Sequence, residues 1–296
     1  SPSSAASDVY KRQTLYPLTT RRRWRLAMRS SEIARMFEES WETVVRRFTR
    51  TPPIWFSEKD LQTHLLCELN RRLGEMGDED QEELILAYAE VPISLNPEEF
   101  LRTIYYGRPR RTRKADVYTA DIAIVSWDMI DFPTLCLIAE LKYWPMTIIP
   151  LYFMALAEEE EFTELCFHLF VSRGEYKELK ENIEKIKKWR REGPSSKDID
   201  YYLGRQKDKS QVEKMVDIVK AYMEYYRKEI HHEGDVFAYL CIVDDLYQDL
   251  EAVLIKEISR YNLPQQFRIL FRYIPLNIEP LEAVIERLEA ELPNES

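Results

Sequence analysis

Glu140 and Lys142 stand on either side of Leu141 at the close of an apolar run, LCLIAELKYW, residues 135–144. Leu135 to Ala139 contains no charged residue, which suits a strand covered on both faces. Side chains alternate along a strand, so Glu140 and Lys142 project to the same side. A carboxylate there offers hard oxygens to Mg²⁺ or Mn²⁺. The amine beside it can orient or deprotonate a water molecule and neutralise charge on a phosphoryl group. A bound cation polarises phosphate and lowers the pKa of water. An amine crowded by that cation has its own pKa lowered, which suits it to act as a base.

Further carboxylates stand at matching places. Asp121 opens the apolar part of the preceding strand-like segment, VYTADIAIVS, residues 117–126. With a connection near Asp128 to Pro133, a meander brings Asp121 and Glu140 within reach of one ion. Asp116 is the weaker candidate, since it precedes the apolar run. In the helical segment that follows Ser57, Leu61, Leu65, Leu66, Leu69 and Leu73 define one face. At 100° per residue Glu58 falls inside that sector at roughly 60° and Gln62 at roughly 100°, whereas Glu68 sits at its margin near roughly −20°. Glu58 therefore points at the sheet from the helix start, where a carboxylate also favours the helix dipole.

These residues need a scaffold, and apolar periodicity supplies one. Ile33, Met36, Phe37, Trp41, Val44, Val45 and Phe48 keep helical spacing up to TPP. Ser57 with Asp60 reads as a capping box for the second helix. Strands are expected at about 86–94, 117–126 and 134–143, then a helix over 176–191 that REGPSSKD breaks. A longer helix over about 209–229 carries Val212, Met215, Val216, Val219, Tyr222, Met223 and Tyr226. A strand at DVFAYLCIVDD, a helix over 246–260, a strand at FRILFRYIP and a helix over 280–292 close the chain. Strands that first meander and then alternate with helices predict a mixed sheet flanked by helices, an α/β fold.

Composition narrows the function. The chain has 296 residues, 45% hydrophobic and 32% charged, room for a substantial core. Only 7 glycines, with no GxGxxG or GxxxxGK[ST], argue against the usual phosphate-cradling loops. Cys67, Cys136, Cys166 and Cys241 are widely spaced, reading as reduced core residues of an intracellular, cytoplasmic protein. The run YWPMTIIPLYFMALA, 143–157, is too short and too rich in proline to span a bilayer, so no membrane partner is expected. Residues 1–13 read as a non-native or disordered leader, and 14–296 as a single domain. The net charge of −10 does not favour nucleic acid, yet RRRWRLAMR, RPRRTRK and KIKKWRR are basic, while 279–296 is acidic. A local basic surface can hold phosphate on an acidic molecule.

Asp121, a gap of eighteen residues and then Glu140-Leu141-Lys142 resemble the PD-(D/E)xK nuclease superfamily. The resemblance implies a restriction-endonuclease-like three-layer sandwich, here with a core over about 57–275 and extra terminal helices. It implies hydrolysis of phosphodiester bonds, with Asp121, Glu140 and Glu58 as ligands of Mg²⁺ or Mn²⁺ and Lys142 positioning the water. Ala120 stands where the family often has proline, and residues 144–208 form a large insertion. Arg108, Arg110, Arg111, Arg113 and Lys114 are then expected to contact the nucleic acid, DNA in the first instance, with a homodimer as the assembly considered. Two alternatives stay open: a catalytically silent nuclease-fold protein serving DNA binding or assembly, and an interaction protein whose stripe at 212–226 binds a partner helix.

Overall fold

The computed structural model describes residues 20–50, 57–75, 83–100, 117–128, 133–143, 176–205, 210–230, 235–244, 246–274 and 278–291. Among the described residues two helices come first, α1 (Thr20–Arg50) and α2 (Glu58–Glu75). Three strands follow, β1 (Glu83–Ser94), β2 (Val117–Asp128) and β3 (Thr134–Tyr143). Next come α3 (Tyr176–Glu192), α4 (Ser196–Tyr202) and α5 (Gln211–Tyr225), the last running into a π turn over Tyr226–Ile230. The chain closes with β4 (Phe237–Asp244), α6 (Leu250–Ile258), β5 (Phe267–Tyr273) and α7 (Glu279–Glu291).

The strands lie in the order β1-β2-β3-β4-β5. β1/β2 and β2/β3 are antiparallel, whereas β3/β4 and β4/β5 are parallel. This is the expected mixed sheet with helices on both faces, a three-layer α/β sandwich. On one face, Phe37, Trp41 and Val44 of α1 and Leu61, Leu65, Leu69 and Leu73 of α2 pack with Ile122, Leu137, Ala139, Leu141 and Cys241. On the other, Ile183 and Ile186 of α3, Tyr202 of α4, the α5 stripe and Leu250, Leu254 and Ile258 of α6 cover Ala123, Ile138, Leu240 and Ile242. β3 and β4 are thus apolar on both sides because both sides are covered.

Several expectations change. Val212, Met215, Val216, Val219 and Tyr222 face the chain's own sheet, so this stripe is core and presents no surface to a partner helix. Cys67 is exposed, not core, while Cys136 and Cys241 are buried. α4 lies in the segment read as a helix break; Ser195 and Asp198 form a full capping box at its start. One member of the basic run on α3, Lys187, is paired with Glu282 of the acidic C-terminal helix, and Lys180, earlier in α3, is paired with Glu289. Among the described residues, no helix is long and apolar enough to cross a membrane.

Candidate active site

β2 and β3 part company where the charges lie. Their pairing includes Ile122↔Ala139, Ala123↔Ile138 and Ile124↔Leu137, then shifts register between Ile124 and Val125. Ala139 is the last β3 residue paired with β2, yet β3 continues beside β4 to Tyr143↔Val243. Glu140 to Tyr143 therefore form one prong of a fork and the first residues of β2 the other. The far end of β3 is held from α5's π turn, where the Tyr226 hydroxyl accepts from the Leu135 N–H at 2.8 Å.

A strand that loses its partner leaves backbone donors to be satisfied. Asp121 Oδ2 accepts from the Leu141 N–H at 2.7 Å, and Glu58 Oε2 from the Tyr143 N–H at 3.4 Å. Two carboxylates from different elements thus replace the missing strand. Glu58 arrives from the first turn of α2, whose start is fixed by Ser57 and Asp60, the Asp60 N–H donating to Ser57 Oγ at 3.3 Å. Glu140 and Lys142 alternate with Leu141 and share the face of Ile138. Lys142 Nζ donates to Glu140 Oε1 at 2.7 Å, and the Tyr118 hydroxyl donates to Glu140 Oε2 at 2.6 Å. The Glu140 side chain is 3% exposed and that of Lys142 11%.

The four expected groups sense one another. Asp121 is pushed up to about 6, first by burial and then by the negative charge of Glu140. Burial also raises Glu58, with Lys142 opposing and Asp121 adding to the rise. Glu140 is raised by burial against the pull of Lys142. Burial alone would lower Lys142, but the Glu140 and Glu58 carboxylates outweigh it and the net shift is upward. Lys142 is therefore a protonated donor beside Glu140.

Three acidic groups around one ammonium suit a hard divalent cation in donor chemistry and in charge. Among the described residues, no three His, Cys, Asp or Glu side chains are gathered as a ready cage. Asp121 and Glu140, coupled across the fork, are the residues that would hold such an ion, with Glu58 adding charge.

The structure adds residues that periodicity did not reveal. Tyr118 lies three places before Asp121 in the same strand and could be found only through the fork geometry. Tyr201 of α4 donates from its hydroxyl to the Tyr143 carbonyl at 3.2 Å, and its ring centroid lies 6.0 Å from Lys142 Nζ. Glu90 of β1 adds negative charge near Asp121 and Glu58 and is bound by Lys59 Nζ at 3.0 Å. Glu90 also adopts a left-handed φ of 52°, rare for a residue with a side chain. Glu68, the other candidate on α2, is taken up elsewhere, with Arg71 and Arg72 donating to its Oε1 at 2.7 and 2.8 Å. Arg108, Arg110, Arg111, Arg113 and Lys114 lie outside the described residues. The chain matches no family model, and no curated protein or solved structure matches it either.

Proposed function

We propose that this protein is a metal-dependent nuclease that hydrolyses phosphodiester bonds in DNA. The observation that carries the reading is the fork itself, which brings Asp121, Glu140, Lys142 and Glu58 from a helix and two strands to one edge. A divalent cation bound there would polarise the scissile phosphate and make water a better nucleophile. Asp121 and Glu140 would hold it. Lys142, kept protonated by Glu140, donates hydrogen bonds that orient the water and offset phosphoryl charge. Tyr118 and Lys142 fix Glu140, while the Leu141 N–H fixes Asp121. The water oxygen would bond to phosphorus as the bond to the 3′ oxygen breaks, with the water proton passing to solvent and a solvent proton reaching the 3′ oxygen, so that the product keeps a 5′-phosphate.

The test is cleavage of plasmid and single-stranded DNA with Mg²⁺ or Mn²⁺, with Lys142→Ala and Asp121→Asn as controls. Loss of cleavage in both folded variants supports the reading, and cleavage surviving in both overturns it. A second reading, a silent nuclease-fold protein that binds DNA, draws on the engagement of both Glu140 oxygens by Tyr118 and Lys142. Salt-sensitive DNA binding with no cleavage under either metal would favour it.

A further inference from the structure

We infer that Gln62 is a positioning residue, which fixes the backbone of Asp121 where neither neighbouring strand does so. This rests on the reading of Asp121 as a site residue. The β1/β2 register runs from Glu83↔Asp128 to Ser94↔Val117 and steps over one pair, Glu90 opposite Asp121. The β2/β3 register stops one residue short, at Ile122↔Ala139. Asp121 therefore has no cross-strand partner in either ladder, although it is the β2 residue whose placement matters most.

Gln62 Nε2 takes up that position, donating to the Asp121 carbonyl at 2.6 Å. The same nitrogen lies 3.2 Å from Glu90 Oε1. Gln62 is 3% exposed, among the buried Leu61, Leu65, Leu69 and Leu73 of α2. A buried amide in such surroundings costs free energy unless it is bonded, and a leucine or methionine would serve packing better. The left-handed Glu90 belongs to the same arrangement: its backbone leaves the ladder, while Lys59 and Gln62 retain its carboxylate. Strain of this kind persists only where the surroundings impose it. One helix end thus acts on both prongs, Glu58 on β3 through Tyr143 and Gln62 on β2 through Asp121.

Gln62→Met keeps the length of the side chain and removes the donor. Gln62→Leu also removes the donor and matches the leucines around it, so it stands in should the first variant not fold. Amide exchange at Leu141 reports whether the Asp121 carboxylate is still in place. Either variant should accelerate Leu141 exchange about tenfold relative to the amides of β4, the loss of one ordinary hydrogen bond. Asn70→Leu is the control: it removes another amide bridge from α2, to the Ala87 carbonyl at 3.2 Å, and should leave the Leu141 ratio unchanged. A Leu141 ratio unmoved by the Gln62 variants, or moved equally by Asn70→Leu, overturns the inference. In the cleavage assay kcat should fall about tenfold with KM for DNA unchanged, the mark of altered positioning rather than altered binding. A wild-type protein that cleaves nothing would sink the nuclease reading, while Leu141 exchange would still decide the role of Gln62.

Discussion

Asp121 accepts the backbone N–H of Leu141 at 2.7 Å at the point where β2 and β3 separate, so one carboxylate both seals an open strand edge and charges the site. These two roles separate in Asp121→Asn. The amide oxygen can still accept from Leu141, while the charge that burial pushes up to about 6 is gone. Thermal unfolding should occur at or above the wild-type temperature. Cleavage should fall by about a hundredfold or more, in line with losing a principal electrostatic element.

Lys142→Met should behave in the opposite way at neutral pH, because it leaves the buried Glu140 carboxylate without its ammonium partner. The cost is about 3 kcal/mol by denaturant titration, typical of breaking a buried pair. With the opposing Lys142 charge gone, burial raises the Glu140 pKa further. A raised carboxyl favours the folded state when protonated, so the variant should recover stability as pH falls and lose it as pH rises. A penalty independent of pH would count against this account.

Tyr118→Phe removes the 2.6 Å hydrogen bond to Glu140 and nothing else of size. A loss of about 1–2 kcal/mol is expected from such a bond. The hydroxyl helps lower the Glu140 pKa, so that pKa should rise in the variant, readable from carboxyl carbon shifts in NMR titration.

Glu68 governs acid stability from further along α2. Its hydrogen bonds to Arg71, and then to Arg72, hold it down at about 2 against an ordinary 4.5. A lowered carboxyl contributes stability above the unfolded value, lost as pH falls from about 4.5 towards about 2. Glu68→Gln should therefore flatten the stability profile across that window. At neutral pH the cost should stay near about 1 kcal/mol, since Arg71 and Arg47 are half-exposed and screened by solvent.

Local pattern carried much of this architecture. Strand β3 is legible from its apolar run, Leu135 to Ala139, and from the alternation of Glu140, Leu141 and Lys142 that closes it. Angle turns Glu58 towards the sheet and puts Glu68 at the margin, yet Glu68 is the more deeply buried; what separates them is their partners, Tyr143 for Glu58 and Arg71 and Arg72 for Glu68. Other features depend on partners distant in sequence. The register shift beside Cys136 and the omitted Glu90↔Asp121 pair arise between strands and leave no local trace. α4 was missed because it has only seven residues, too few for an amphipathic period to emerge. Its capping box, Ser195 to Asp198, was the available signal, and with it Tyr201 would have been placed on a helix.

The parallel pairing of β3 with β4 has a consequence for how the chain is made. β3 ends at Tyr143, yet the strand that covers its second edge begins at Phe237. During synthesis a strand apolar on both faces must wait, with that edge unpaired, for its neighbour to emerge. Long-range parallel pairing is slow, and waiting edges invite association between chains. Chains interrupted before Phe237 should accumulate as aggregates, and full-length protein should gain yield from slower translation or from chaperones that shield β3.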